Sequence, residues 1–437
     1  MTPEIEKRIK AVQAGRVPAG YKKSKVGIVP KYWGEVRFHD MFSRVVRKNK
    51  EGNTNVLTIS AQYGLINQND FFNKTVASDD KSNYYLMKKG EFAYNKSYSN
   101  GYPFGALKRL DFYDKGIVSP LYICFAASEN NQCPDFYVHY FEAGLMNKEI
   151  QAFAQEGARN HGLLNISVDD FFNSNLLNPP LSEQKKIAEI LSTQDRAIEL
   201  KEKLIAEKQN QKKYLMQMLL DGKASPIKFK LGNVSIDKSK WVDKRLGEIS
   251  KVKGGKRIPK GFSLTANDTG HPYLTVSNMK NGTIDDENIL FVPLDVAEKI
   301  KAYRVDAGDI YITVAGTLGT VGIIPLKYDK ANLTENADKI IDVFCNKAFL
   351  YQLLLSNIIQ NQIVLSQTNN AQPKLAIQQI QNFIFLLPSL PEQKAIADVL
   401  SAADEEISLL QKGLEQEKLK KKSLMQLLLT GLVRVNE

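Results

Sequence analysis

The chain has 437 residues, 43% of them hydrophobic, and a formal net charge of +11 at pH 7. This length allows two or three domains with full cores, and the hydrophobic content argues against a disordered chain. Three scattered cysteines without a CxxC pair, four scattered histidines and no run of about 20 apolar residues argue against a disulfide framework, a metal site and a membrane segment.

The first predicted element is a short helix over residues 3–13, because Thr2-Pro3-Glu4 has the residues of a helix start. Short β-like runs broken by Gly, Asn and Asp follow from Val36 to Phe172 and predict a mixed α/β domain. Its one clear helix is expected over residues 141–158. A second domain of the same kind follows a connector, and its helix is expected over residues 347–364.

Residues 181–223 and 390–432 are two copies of one helical sequence. LSEQKKIAEILS returns as LPEQKAIADVLS at a constant offset of 209, and nearly half of the aligned residues are identical. The two tryptophans, Trp33 and Trp241, open similar short segments ahead of the copies. Self-similarity at a fixed period indicates a duplicated architecture, in which the helices are alike and the contents of the two domains differ.

Apolar residues recur every seventh position in both copies, as in a coiled-coil seam. Lys212 and Lys421 occupy the same position of this row, where a lysine lowers stability and fixes register. Each helix packs on its own domain, or the two pair with each other. A pair related by a dyad would be antiparallel, with one domain near each end.

These patterns predict an α/β protein with mixed α+β domains: two pseudo-repeated globular domains joined by two long antiparallel coiled-coil helices. The expected segments follow the repeat boundaries. They are an N-terminal helix or arm (1–20), a first domain (21–178), a first long helix (179–223), a linker (224–235), a second domain (236–388) and a second long helix (389–437).

No catalytic motif is present. Asn178-Pro179-Pro180-Leu181 resembles the NPPY/F tetrapeptide of amino-methyltransferases, but it lacks the aromatic residue, and a helix start explains it better. The glycines of AGTLGTVG are not a P-loop and predict a turn between strands. We therefore expect no catalytic residue and no metal in this chain.

Two basic stretches stand at matched positions after the tryptophans and predict contacts with DNA phosphates. Reading of bases requires Arg, Lys, Asn or Gln side chains at groove edges. The predicted phosphate contacts are Arg44, Arg47, Lys48, Lys251, Lys253, Lys256, Arg257 and Lys260. The predicted base contacts lie in loops and are Tyr98, Asn100, Arg159, Asn160, His161, Asn278, Lys280, Asn369, Asn370 and Gln372.

The pattern L-[SP]-E-Q-x-x-I-A-x-x-L-S, present twice and closing each domain, resembles the specificity subunits of type I restriction-modification systems. GGKRIPKG and AGDIYITVAG also resemble second-domain sequences of that family. The resemblance covers nearly the whole chain, with the helices as conserved regions and the domains as target recognition domains. The first domain departs most, with GEFAYNKS where GD-type strands are usual.

The resemblance implies a non-catalytic subunit that binds a bipartite double-stranded DNA target. No signal peptide is visible at Met1 and no apolar run has the length of a membrane helix, so we expect a cytoplasmic protein without a membrane partner. Two methyltransferase subunits, which carry S-adenosylmethionine, would dock on the repeated helices, and two restriction subunits using ATP and Mg could join. No cofactor is expected in this chain. The predicted docking residues are those of the repeated motif: Glu183, Gln184, Lys185, Glu392, Gln393 and Lys394.

Two alternatives stay open. A duplicated coiled-coil scaffold that binds only protein would show no affinity for DNA even with a modification subunit present. A self-contained adenine methyltransferase would bind S-adenosylmethionine directly.

Overall fold

The duplicated sequence folds into two units with matching elements. The computed structural model describes residues 2–60, 63–71, 81–99, 101–128, 132–156, 164–366 and 374–435. The first unit is Met1–Glu202 with Gly413–Glu437, and the second is Lys203–Lys412. The N-terminal helix therefore groups with the first domain.

The first unit contains short helices and strands ahead of the first long helix. Its helices are α1 Pro3–Gln13, α2 Phe38–Met41, α3 Gln68–Phe71, α4 Pro134–Glu142, α5 Asn147–Phe153 and α6 Val168–Phe172, and the first long helix, α7 Leu181–Leu220, belongs to this unit up to Glu202. Its strands are β1 Tyr21–Lys23, β2 Ile28–Pro30, β3 Gly34–Arg37, β4 Phe42–Arg44, β5 Leu57–Ser60, β6 Gly64–Asn67, β7 Tyr85–Lys88, β8 Phe92–Asn95, β9 Ala106–Arg109, β10 Lys115–Val118, β11 Ile123–Ala127, β12 Gln155–Glu156, β13 Leu164–Asn165 and β14 Asn175–Asn178.

The second domain opens and closes in the same way, from a hairpin to a long helix, with different elements in between. Its helices are α8 Leu246–Ile249, α9 Leu294–Ala297, α10 Lys347–Leu355, α11 Asn357–Leu365 and α12 Ile377–Gln381, and the second long helix, α13 Leu390–Leu428, belongs to this unit up to Lys412. Its strands are β15 Lys228–Leu231, β16 Val234–Asp237, β17 Val242–Arg245, β18 Lys251–Gly254, β19 Pro272–Leu274, β20 Leu290–Phe291, β21 Ile310–Thr313, β22 Val321–Ile323, β23 Asn332–Leu333, β24 Ala337–Ile341 and β25 Ile384–Leu387.

The two units share the topology of their main sheet. Each contains a four-stranded antiparallel sheet, in the order β4-β11-β8-β9 in the first and β18-β24-β21-β22 in the second. In each, the strand after the tryptophan pairs with the strand that precedes the long helix, β3 with β14 and β17 with β25. The predicted common frame of the two domains is therefore present in the structure.

The cores inside this frame differ in chemistry. The first is built from interlocking aromatic rings, with Phe38, Phe42 and Phe125 all fully buried and in ring contact. The second is mainly aliphatic, with Ile310 and Ile340 at its centre. Each core is packed from its own set of complementary side chains. The two domains therefore share the topology of their main sheet although their core side chains differ.

Several predicted elements are corrected by the structure. The expected helix over residues 141–158 is interrupted by a turn, because Gly144 has a φ of +69° and lies beside Asn147. The expected helix over residues 347–364 is divided at Ser356, which is extended. The predicted linker 224–235 contains strand β15 and the start of β16, which form a hairpin like that of β1 and β2.

Other expectations are confirmed. Helix α1 spans Pro3–Gln13, and the side chain of Thr2 accepts a hydrogen bond from the backbone N–H of Ile5. Gly316 and Gly319 lie in the turn between β21 and β22 with positive φ. In the described part of the chain no single helix meets the length and hydropathy of a membrane span, and α10 and α11 meet them only together, bent by 54°.

The long helices pack on their domains and also pair with each other, so both expected arrangements occur. In the first unit, Leu191 of α7 and Leu428 of α13 belong to the domain core. In the second unit, Leu219 of α7 and Leu400 of α13 do the same. The seam of the helix pair is thus continuous with the core of each domain.

The seam lysines form two equivalent ion pairs. Lys212 Nζ lies 2.6 Å from Asp404 Oδ1 in the second unit, and Lys421 Nζ lies 2.5 Å from Asp195 Oδ1 in the first. The residue numbers of both pairs add up to 616, as required for antiparallel helices. The Lys212 side chain is 13% exposed and the Asp404 side chain 41%, so the pair is partly shielded from water and favours this register of the helices.

This geometry predicts that charge reversal at the seam is destabilising and is rescued by its partner. Lys212→Glu faces Asp404 with a like charge, and we expect a loss of roughly 1 kcal/mol in unfolding free energy. Adding Asp404→Lys should recover part of that loss, measured by a double-mutant cycle in denaturant. Lys213→Glu, at an exposed neighbouring position, is the control. A double variant no more stable than the summed singles would contradict the pairing.

Candidate nucleic-acid interface and helix anchors

The glutamates of the repeated motif bind the tryptophans. Glu183 Oε2 accepts a hydrogen bond from Trp33 Nε1 at 3.3 Å, and Glu392 Oε1 accepts one from Trp241 Nε1, also at 3.3 Å. Burial raises the pKa of Glu392, but hydrogen bonds from the backbone of Asp237 and from neighbouring groups outweigh it and lower the pKa below its usual value. The carboxylate is therefore stabilised as an internal acceptor.

The glutamines of the motif repeat this arrangement. Gln184 Oε1 accepts from the backbone N–H of Cys133 at 2.9 Å, and Gln393 Oε1 accepts from that of Asn346 at 2.8 Å. Their amide groups donate to the carbonyls of Pro179 and Pro388. Each amide thus joins the start of its long helix to the segment that opens the helix α4 or α10. The proline at 179 serves this helix start, as expected.

This geometry corrects the predicted docking surface. Glu183, Gln184, Glu392 and Gln393 are all buried, and their polar atoms are bonded inside the chain. Because they are buried, they are not accessible to a partner. Their repetition reflects an internal anchor that both units share. The remaining predicted docking residues, Lys185 and Lys394, are exposed.

The basic stretch of the second unit lies along an edge strand of its sheet and in the following loop. Lys251, Lys253, Lys256, Arg257 and Lys260 are all exposed. Edge position leaves one side of β18 open, and exposed cations there suit a phosphate backbone.

The exposed cations of this stretch have different neighbours. Lys251 pairs with Asp342 at 2.8 Å, Arg257 pairs with Glu335 at 2.5 Å, and Lys256 Nζ lies 5.5 Å from the Tyr303 ring centroid. Within the described residues, no carboxylate pairs with Lys253 or Lys260. Lys253 still lies close enough to Asp342 to help lower the pKa of that carboxylate, so Lys260 carries the least compensated charge of the stretch.

Gly255 fixes the path of this basic loop. A Cβ at this position would lie 2.0 Å from the carbonyl oxygen of Thr334 and 2.5 Å from that of Leu333. The glycine thus permits close packing on the chain's own backbone. The absence of a side chain at Gly255 thus lets the basic loop lie close to the backbone of Thr334 and Leu333, and does not serve the approach of a partner.

The first unit has the matching stretch at the offset of 209. Arg44 on β4 is exposed, Arg47 pairs with Glu91 at 2.8 Å, and Lys48 Nζ lies 4.6 Å from the Tyr85 ring centroid. The hydrogen bond with Glu91 raises the pKa of Arg47. Just after the edge strand, each unit therefore presents a cation paired to a carboxylate, Arg47 or Arg257, and a lysine over a tyrosine, Lys48 or Lys256.

The residues predicted to contact bases fall into three groups: exposed, buried, and outside the described part of the chain. Tyr98 and Lys280 are exposed, and Lys280 lies 3.7 Å from Asp285. Asn278 is corrected, because it is buried and its side chain bonds Thr275 and the carbonyl of Glu287. The others lie outside the described residues: Asn100, Arg159, Asn160, His161, Asn369, Asn370 and Gln372. Binding of DNA by any of these residues stays a prediction.

Sequence analysis missed the seam aspartates, Asp195 and Asp404. Both are conserved between the two copies and stand 17 residues before the seam lysines. In an antiparallel pair of duplicated helices, the aspartate of one copy faces the lysine of the other. The two ion pairs could therefore have been predicted from the repeat offset together with the heptad position of the lysines.

Comparison with known proteins gives one family. The family model for the type I restriction modification DNA specificity domain matches residues 30–208 and 238–419. The MjaVIII specificity subunit of Methanocaldococcus jannaschii is 29% identical over 328 residues, covering 74% of this chain and 75% of that protein. The MjaX specificity subunit of the same organism is 27% identical and covers 95% of this chain and 97% of its own length.

Solved structures have the same fold. A chain from a study of complex assembly and conformational transition of the type I R-M system has a TM-score of 0.56 at 15% identity, covering 93% of this chain and 99% of that chain. The S subunit from M. genitalium has a TM-score of 0.51 at 17% identity, covering 91% and 96%.

Proposed function

Because the chain belongs to the family of type I restriction modification DNA specificity proteins, we propose that it binds a bipartite, asymmetric DNA target, with one half-site for each globular domain. The observation that carries this proposal is the repetition of a basic sheet edge in two domains of one topology. Arg44 and Lys253 occupy corresponding strands, yet the surrounding loops and cores differ. The matching sheet edges would make similar contacts to phosphates in both half-sites. The differing loops would contact two different base sequences.

The chain acts without chemistry of its own in this proposal. Two methyltransferase subunits carrying S-adenosylmethionine modify adenine in the bound target, and two restriction subunits using ATP and Mg join where they are present. Within the described residues no group of His, Cys, Asp and Glu suits a metal ion.

The docking surface of the methyltransferase subunits is placed on the exposed faces of the long helices. Two identical partners require a surface that occurs twice. Leu200 and Leu409 are equivalent at the offset of 209, and they are 49% and 61% exposed. Lys185 and Lys394 form a second exposed, repeated pair. Exposed leucines at matched positions are the apolar centre that such an interface needs.

The target-binding role is tested by co-expression with a candidate methyltransferase subunit, followed by single-molecule sequencing of the host DNA. We expect an interrupted, asymmetric motif methylated on adenine that disappears when this chain is omitted. A complex that forms with no affinity for DNA and no new motif would instead support the alternative, a scaffold that binds only protein.

Phosphate contact is tested by salt dependence of DNA binding in that complex. We expect Lys253→Ala and Lys260→Ala each to weaken binding to target and non-target DNA alike, and to reduce the slope of log affinity against log salt by about 1, because each removes one phosphate contact. Lys228→Ala, on the hairpin of β15 and β16, is the control for loss of an exposed lysine. An unchanged slope would remove these residues from the interface.

Docking is tested by the stoichiometry of the complex in native mass spectrometry. We expect Leu200→Lys or Leu409→Lys alone to leave about one methyltransferase subunit bound, and the double variant to leave none, because a buried lysine is strongly disfavoured. Leu326→Lys is the control, since Leu326 is also exposed (83%) but lies outside the repeated helices. Two bound subunits in the double variant would contradict this surface.

A further inference from the structure

The two domains attach to the helix pair through a matching residue of different chemistry. His139 is the sixth residue of α4, and Gln352 is the sixth residue of α10. Both side chains are buried, with 4% and 1% exposure. Each faces the seam aspartate of its own unit. We call this contact between the domain helix and the seam aspartate the joint, and it occurs once in each unit.

In the first unit the joint contains a titratable ring. His139 Nδ1 lies 3.7 Å from Asp195 Oδ2, and His139 Nε2 lies 3.2 Å from the hydroxyl of Ser192. The other carboxylate oxygen of Asp195 binds Lys421. Asp195 therefore links the domain helix α4 and the helix α13.

In the second unit the joint has a neutral amide. Gln352 Nε2 donates to Asp404 Oδ2 at 2.7 Å, and Asp404 Oδ1 binds Lys212. Ser401 stands at the position of Ser192 in the repeat. The two joints thus share aspartate, lysine and serine, and they differ at the residue that the domain supplies.

We propose that His139 is a positioning residue which attaches the first domain to the helix pair in its neutral form and loosens that attachment when the ring gains a proton, while Gln352 keeps the second domain attached across the same pH range. The first recognition domain is then sensitive to mild acid and the second is not.

The charges around the ring explain why the proton is unfavourable. Burial lowers the pKa of His139 below its usual 6.5, and Lys421 lowers it further. Asp195, Asp135 and Glu142 act in the opposite direction.

Each of these carboxylates already has a cation. Lys421 binds Asp195, Arg109 binds Asp135, and Lys108 binds Glu142. A protonated ring would therefore be buried beside carboxylates that each already have a cation, with Arg109 shared between Asp135 and Asp111.

The direction of the pH effect follows from the lowered pKa. Well above pH 6.5 the ring is neutral in the attached and in the open state, and the attachment has its full strength. As the pH falls through 6.5, the open state takes up the proton first, so the equilibrium moves toward opening.

Hydrogen exchange of the full chain tests this without DNA or partner subunits. Exchange is followed in peptides of α4 and α10 between about pH 7.5 and about pH 5.5, with correction for intrinsic rates. We expect the opening of α4 to increase by about twofold or more on acidification, and α10 to stay unchanged. A response of neither helix, or an equal response of both, would overturn the proposal.

Exchanging the two residues provides the matched controls. His139→Gln gives the first joint the side chain of the second and should abolish the pH response of α4. Gln352→His should confer a response on α10. If His139→Gln leaves the response of α4 in place, another group causes it, and His139 is not the positioning residue.

The ring itself can be observed directly. The chain has four histidines, so histidine-labelled protein gives few NMR signals, and the signal lost in His139→Gln identifies the residue. We expect that signal to titrate below pH 6.5, and a midpoint above it would contradict the proposal. None of these measurements uses DNA, so their outcome is independent of the proposed target binding.

Discussion

Two aspartates at the seam of the long helices connect the parts of each unit. Asp195 and Asp404 each bind a lysine from the other long helix and face a side chain from their own domain. Because each carboxylate contacts both a lysine of the other helix and a side chain of its own domain, the register of the helices and the attachment of the domains involve the same groups. Further ion pairs between the helices, such as Lys201 with Glu417 and Lys208 with Glu406, support the same register.

The architecture was predictable because a duplication is visible without any knowledge of structure. The repeated helices, the paired tryptophans and the heptad rows required only comparison of the chain with itself. The interruptions at Gly144 and Ser356 were harder to predict, because both segments continue an apolar helical pattern on either side. In those places tertiary packing determined where each helix ends.

The candidate site was predictable only in part, for a physical reason. Charge is visible in a sequence, and the two basic stretches do lie on matched sheet edges. Burial is not visible in a sequence. Glu183 and Asn278 were predicted to be accessible because residue type alone does not show whether a polar side chain is buried. Repetition of the Glu-Gln motif reports a shared constraint, and that constraint is an internal anchor.

The anchor at the start of each long helix has a consequence for how such chains change over time. Its polar part uses an indole N–H, supplied by Trp33 or Trp241, and a backbone N–H ahead of α4 or α10. An aromatic core and an aliphatic core are both held by this anchor here. One conserved helix start is therefore compatible with domains whose interiors differ, so the content of a domain can diverge without change at its attachment.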